Sequence, residues 1–176
     1  MEMIYASSAC PMGVLLVAAS GRGLTFAGLW DHETYLLADL NNRYPGLILR
    51  QDATGLKAML DPLLAYLSGE QQGLALPLDP LGTAFQQRVW QALLQVPYGQ
   101  TLTYTSLAAS MGLGPTSVRA VAHGCAANPV SLVIPCHRIL RSDGSLGGYY
   151  WGLARKRALL EMEKAIAPLP GQLQLF

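Results

Sequence analysis

The stretch YTSLAASMGLGPTSVRAVAHGCAANP, residues 104–129, predicts two helices that meet in a tight turn. Ala108 is small enough for a helix crossing, Gly112 suits the turn, and Val118 is an apolar anchor beyond it. Pro115 is placed for the first turn of the second helix. The spacing fits a DNA-binding helix-turn-helix, and it also fits an ordinary helical hairpin.

The second of these helices carries one long cation, Arg119, on a smooth surface. Its other residues include the small side chains Ala120, Ala122, Gly124 and Ala126. A major-groove reader presents several polar groups, whereas a smooth helix suits the minor groove and sequence-independent binding through shape and phosphate contacts. The alternative is that Arg119 is a single solvated surface charge.

The first half of the chain has the pattern of a small α/β unit. Residues 3–30 contain three β-rich runs separated by Pro-Met-Gly and Gly-Arg-Gly, which predicts an antiparallel meander. We expect a helix at 31–46 that Asp31 caps, and a strand at 47–51. A second helix is predicted within 54–70, where Pro62 should kink or divide it.

A proline- and glycine-rich stretch separates the two halves. Beyond it, Thr83 and Gln86 form a capping-box pattern at the start of a helix that Pro97 ends. The apolar face of that helix consists of Phe85, Val89, Leu93 and Val96. The predicted fold class is α+β. The predicted division is an N-terminal α/β domain at 1–72, a linker at 73–82, a mostly helical domain at 83–165 and a flexible tail at 166–176.

Composition and charge narrow the possible functions. With 176 residues and 51% hydrophobic content, the chain can bury a core, and its three cysteines form no CxxC pair, which disfavours a disulfide framework or a cysteine-rich zinc site. We expect a cytoplasmic protein without an export signal or a membrane span. Residues before Phe85 include four basic and eight acidic side chains, whereas eight basic and three acidic ones follow from Phe85 onward. Only the second half is suited to nucleic acid.

Several motifs of the second half together resemble one known family. They are PYGQTLTYTSLA, RAV, NP, IPCHRIL and GSLGGYYWGLARKRALLEME, between about Phe85 and Glu163. This combination is similar to the O6-alkylguanine-DNA alkyltransferases, which implies a ribonuclease-H-like N-terminal domain and a C-terminal domain with a helix-turn-helix. The implied activity is irreversible, single-turnover transfer of an alkyl group from guanine O6, and also thymine O4, to Cys136 after nucleotide flipping, without cofactor or metal.

Alkyl transfer to sulfur needs a base, since a thiol with a pKa of about 8.5 is mostly protonated at neutral pH. His137 is adjacent, and in an extended segment it would face away from Cys136 and act through a water. Glu161 and Glu163 could each orient the imidazole, and the family pattern selects Glu163. Without that pattern, the more common role of such a cysteine and histidine is structural, as buried core residues.

The resemblance implies further roles. Tyr104 would rotate the nucleotide and donate a proton toward guanine N3, Arg119 would fill the vacated place in the duplex, and Asn128 would brace the active-site turn. Other implied DNA contacts are Thr105 and Ser142, and the implied pocket residues are Ile139, Tyr149, Tyr150 and Trp151. Many family members have glycine at the position of Trp151, so we expect a tighter pocket that resists benzylguanine.

Two alternatives and one additional motif accompany this interpretation. A non-catalytic sensor of alkylated DNA would flip the base and recruit repair factors, but family relatives of that kind lack the cysteine. A cysteine hydrolase would need an oxyanion or nucleophile-elbow motif that the chain lacks.

The terminal QLQLF resembles a peptide that docks on the bacterial replication sliding clamp, and the alternative is a tail folded onto its own core. Its contacts would come from Gln172, Leu173, Leu175 and Phe176. Otherwise we expect a monomer that binds double-stranded DNA and no membrane.

Overall fold

The computed structural model describes residues 1–168, which form two compact units. The first unit contains Met1–Leu81 together with Pro129–Val133, and the second contains Gly82–Asn128 and the chain from Ile134. The fold is therefore α+β, as predicted, with a sheet-based unit followed by a mostly helical one. Within the described part of the chain, no helix is long and apolar enough to cross a membrane.

The first unit is built on a four-stranded sheet. Its strands are β1 (Glu2–Cys10), β2 (Gly13–Ser20), β3 (Gly23–Trp30) and β4 (Ile48–Gln51), in the order β3-β2-β1-β4. The first three pair antiparallel, which confirms the predicted meander, and β4 runs parallel to β1. Most side chains of β2 and β3 are buried and form the core with the helices α1 (Glu33–Arg43) and α2 (Lys57–Leu67).

Two details of this unit differ from the sequence predictions. His32, not Asp31, is the N-terminal capping residue of α1. Helix α2 is also not divided at Pro62. The carbonyl that loses its partner to this proline belongs to Ala58, which is exposed, so water can replace the missing hydrogen bond.

The segment predicted as a linker is packed on the first unit. The amide of Leu24 donates to the Pro77 carbonyl at 2.8 Å, and the amide of Asp79 donates to the Leu24 carbonyl at the same distance. Asp79 also accepts from Ser20 at 2.6 Å. Proline and glycine content therefore marked an irregular segment, but its hydrogen bonds to the strand edge were not visible in the sequence.

Up to residue 168, the second unit contains four α-helices and a short parallel strand pair. The helices are α3 (Ala84–Leu93), α4 (Tyr104–Ser110), α5 (Val118–Ala126) and α6 (Leu153–Met162), and the strands are β5 (Leu102–Thr103) and β6 (Ile139–Leu140). The predicted capping box is present: the Gln86 amide donates to the Thr83 hydroxyl, and the Thr83 amide donates to the Gln86 side chain. Helix α3 ends at Leu93, so Val96 lies beyond it.

Helices α4 and α5 form the predicted pair. Gly112 has φ +74°, the left-handed conformation that glycine adopts most easily in such a turn. Gly124 faces α3, not solvent, because a Cβ there would lie 2.8 Å from Val89, and the Gly124 carbonyl accepts from the Trp90 indole at 2.9 Å. The expectation that Gly124 smooths a DNA-facing surface is therefore wrong.

Candidate active site

Cys136 is the first residue of a 3₁₀ turn, Cys136–Arg138, that follows Pro135. Its side chain is buried, and the Asn128 side-chain amide donates to its Sγ at 3.2 Å. The same amide nitrogen lies 2.8 Å from the Ile134 carbonyl oxygen. Burial raises the pKa of the Cys136 thiol, while the Asn128 hydrogen bond and the charge of Lys156 act against that rise.

His137 is fully buried and is held by a carboxylate. Its Nε2 lies 2.9 Å from Oε1 of Glu163, the residue that caps the C-terminus of α6. The structure thus joins the two residues that the family pattern paired. The premise that residues 136 and 137 lie in an extended segment is wrong, because they form a turn. Burial lowers the pKa of His137, so the imidazole is neutral at neutral pH despite its acidic partner.

Arg138 is a further partner of the same carboxylate and was not among the predicted site residues. Its Nε lies 2.9 Å from Oε2 of Glu163 and its Nη2 lies 2.8 Å from Oε1, while Nη1 donates to the Val96 carbonyl at 2.6 Å. Such a forked contact fixes the orientation of the carboxylate and balances its charge. The shared carboxylate is thereby held in place to orient His137.

Lys156 is a second residue that the sequence reasoning missed. It is fully buried, and its ammonium donates to three backbone carbonyls, those of Ile139, Leu146 and Gly148. These bonds connect α6 to β6 and to the loop that precedes α6. Desolvation lowers the pKa of Lys156 to about 8. One signal was available: Lys156 lies two helical turns before Glu163, on the same face of the helical pattern.

A cavity of about 590 Å³ opens at Cys136. Its walls come from α4, α5 and the loop between β6 and α6. The lining residues are Tyr104, Val118, Arg119, Ala122, His123, Cys125, Ala126, Cys136, Arg141, Gly148, Tyr149 and Tyr150. Its volume lies within the range of about 300–1,000 Å³ that is typical of small-molecule sites. Of the predicted residues, the structure brings Tyr104, Arg119, Cys136, Tyr149 and Tyr150 to this cavity.

Tyr104 stands between this cavity and a neighbouring one of about 360 Å³. The second cavity is lined by Thr105 and Ser142, whose hydroxyl oxygens are 3.1 Å apart. Burial raises the pKa of Tyr104 to about 12, so the phenol keeps its proton at neutral pH. Two polar residues predicted to contact DNA are therefore adjacent to the pocket.

Trp151 and Ile139 do not line the cavity. Both are buried, and the Trp151 ring packs edge-on against Tyr150 with centroids 4.8 Å apart. Trp151 thus contacts a residue that lines the cavity, and the tighter pocket expected from the tryptophan stays a prediction. Cys125 lines the cavity instead, and burial raises the pKa of its thiol.

Both halves of the chain match families of known proteins. A family model described as 6-O-methylguanine DNA methyltransferase, DNA binding domain, matches residues 84–165, and a second, described as the ribonuclease-like domain, matches residues 3–80. The methylated-DNA–protein-cysteine methyltransferase of Mycobacterium bovis is 38% identical over 164 residues, which cover 93% of this chain and 94% of the relative.

Two other relatives extend the comparison. The chain is 43% identical over 159 residues to the bifunctional transcriptional activator/DNA repair enzyme Ada of Escherichia coli; the match covers 90% of this chain but only 45% of the relative. The crystal structure of Mycobacterium tuberculosis OGT in complex with DNA superposes with a TM-score of 0.78 at 36% identity, covering 92% of this chain and 93% of that one.

Proposed function

Because the chain belongs to the O6-methylguanine DNA methyltransferase family, we propose that it repairs DNA by moving the alkyl group of O6-alkylguanine onto Cys136. The observation that carries this proposal is the position of Cys136 in the lining of a cavity, next in sequence to His137 of the buried His137–Glu163 pair. A sensor of alkylated DNA would need the cavity but not the thiol.

The proton of the thiol leaves through His137. With Nε2 donating to Glu163, the lone pair of the neutral imidazole is on Nδ1, which can take the Cys136 proton through one water. Glu163 then stabilises the resulting imidazolium, while Arg138 balances the charge of the carboxylate and orients it. The Asn128 amide and the Lys156 ammonium favour the thiolate.

The thiolate attacks the alkyl carbon in line with the departing purine oxygen. One carbon–sulfur bond forms and one carbon–oxygen bond breaks, and the proton that left the thiol replaces the alkyl group on guanine. Tyr104 supports the departure because its protonated phenol can donate toward guanine N3. The thioether product has no simple route back to thiol, so each molecule reacts once.

The target must first leave the base stack, since its O6 substituent is inaccessible to a side chain within the duplex. The α4–α5 pair acts as a helix-turn-helix, and Arg119, exposed on α5 at the cavity, takes the place of the extruded nucleotide. Thr105 and Ser142 contact the backbone beside it, and Tyr149 and Tyr150 enclose the base. The same pocket accepts O4-methylthymine as a second substrate.

The stoichiometry of the reaction tests this function. Increasing amounts of an O6-methylguanine duplex are added to a fixed amount of protein, and methyl transfer is counted at completion. We expect a plateau at one methyl per protein molecule, and none for Cys136→Ala. Continued turnover beyond one equivalent, or transfer by Cys136→Ala, would refute the mechanism.

The terminal QLQLF motif lies outside the described residues 1–168. Its proposed partner is the bacterial replication sliding clamp, which would receive Leu175 and Phe176 in an apolar pocket and contact Gln172 and Leu173. Removing residues 172–176 should abolish clamp binding and leave repair of a short duplex unchanged. Equal clamp binding by the full and shortened chains would contradict this.

We further propose that the protein is monomeric and acts in the cytoplasm at the nucleoid.

A further inference from the structure

Helix α5 exposes a second basic side chain one turn beyond Arg119. Arg119 and His123 are four residues apart, so they project from one face of the helix, and both are exposed. Val121, Gly124 and Cys125 lie on the opposite, buried side. His123 is therefore exposed on the face of α5 that carries Arg119.

The same two residues line the cavity that contains Cys136. Arg141 contributes a second cation from the loop after β6. The described residues that line the cavity at Cys136 include no carboxylate, and Asp143 lines the neighbouring cavity. An entrance of this kind attracts an anionic ligand and repels a cationic one. The base itself is neutral, so the anionic part of the ligand must be the sugar–phosphate backbone at the cavity mouth.

The spacing of Arg119 and His123 along α5 matches the width of a minor groove. Four residues of α-helix advance by about 6 Å, at about 1.5 Å per residue. The minor groove of B-DNA is also about 6 Å wide, so a helix whose Arg119 occupies the groove brings the next exposed turn to a strand that bounds it. The other exposed residues of α5 are Ala120 and Ala126, which have no polar side-chain group.

We propose that His123 is a DNA-positioning residue whose imidazole donates a hydrogen bond to the sugar–phosphate backbone next to the extruded nucleotide. This inference rests on the proposed function and adds a contact to it. His123 does not touch the reacting atoms. It holds the strand so that the flipped base stays in the cavity.

Binding and chemistry are separated by comparing two substrates. Affinity is measured with an O6-methylguanine duplex, and the alkylation rate of Cys136 is measured with free O6-methylguanine base, which has no backbone. His123→Ala should weaken duplex binding by about ten- to a hundredfold, as expected for one lost hydrogen bond to a charged group, and slow the free-base reaction by a much smaller factor. His123→Gln keeps a side-chain N–H donor and should recover most of the affinity.

His32→Ala provides a matched control, because His32 is an exposed histidine of the first unit. It should bind duplex like the wild type. The inference is overturned if His123→Ala binds equally or more tightly, or if it slows the free-base reaction as much as it weakens binding. Failure of the wild type to take methyl from the duplex would instead refute the proposed function.

Discussion

The side-chain amide nitrogen of Asn128 lies 3.2 Å from Sγ of Cys136, so one residue both braces the active-site turn and contacts the reactive atom. The same nitrogen bonds the Ile134 carbonyl at 2.8 Å. The contact joins the C-terminal end of α5 to the turn that carries the thiol.

Asn128→Ala should therefore impair both stability and reactivity. It removes one of the two donors to the buried Ile134 carbonyl, which keeps the Cys136 amide, at a cost of about 0.5–1.5 kcal/mol, and it removes a group that favours the thiolate. The free energy of unfolding should fall, and the pKa of the Cys136 thiol, followed by ultraviolet absorbance of the thiolate, should rise. An unchanged thiol titration in the folded variant would show that the contact does not tune Cys136.

Glu163→Gln should slow methyl transfer and destabilise the protein. The substitution removes the charge that His137 and Arg138 share, and breaking a buried charge pair costs about 3–5 kcal/mol. Arg157→Gln is a control, since Arg157 pairs with Glu161 on the same helix. Equal effects of both substitutions on the transfer rate would contradict a special role for Glu163.

The pH dependence follows from the lowered pKa of His137. The rate should persist as pH falls to about 6.5, the ordinary histidine value, and decline only in more acidic solution. Stability should change in the same direction: below about 6.5 the unfolded chain binds a proton that folded His137 refuses, so stability rises with pH through this window. A rate that halves at the ordinary histidine pKa would contradict the burial effect.

Lys156→Met should loosen the loop that forms part of the cavity wall, in addition to removing the positive charge of the ammonium. The methionine has a comparable length but cannot donate to the Ile139, Leu146 and Gly148 carbonyls, so we expect about 1–3 kcal/mol of lost stability or more. The thiolate fraction of Cys136 should also fall, because the ammonium favours the charged sulfur. A free energy of unfolding equal to that of the wild type in the Lys156→Met variant would refute the anchoring role.

Trp151→Phe should leave inactivation by benzylguanine within about twofold of the wild-type rate, because the ring packs edge-on against Tyr150 and is not among the residues that line the cavity. A much larger gain in sensitivity would support the steric explanation based on the sequence. Trp151→Gly is less informative, since removing a buried tryptophan costs about 3–5 kcal/mol.

Local patterns predicted the fold well where neighbouring residues determine it. The capping box of Thr83 and Gln86 and the meander at residues 3–30 depend on interactions or periodicities that the sequence displays directly. The packing of the supposed linker on β3 depends on residues more than fifty positions apart, and it gave no local signal.

The active site shows the same division. The family pattern predicted the pairing of His137 with Glu163, but adjacency suggested an extended segment where the chain turns. The role of Arg138 could not be predicted from the sequence, because its hydrogen bonds to the Glu163 carboxylate and to the Val96 carbonyl join residues that are distant along the chain. The sequence also shows that Trp151 is next to Tyr150, but not which of the two rings faces the cavity.

The most direct test of the central claim is peptide mass spectrometry of the protein after reaction with one equivalent of an O6-methylguanine duplex. We predict that the peptide containing Cys136 gains the mass of one CH₂, with fragmentation locating the methyl on Cys136 and none on Cys125. An unmodified Cys136 in a reaction that has removed the lesion, or a methyl on Cys125, would contradict the account.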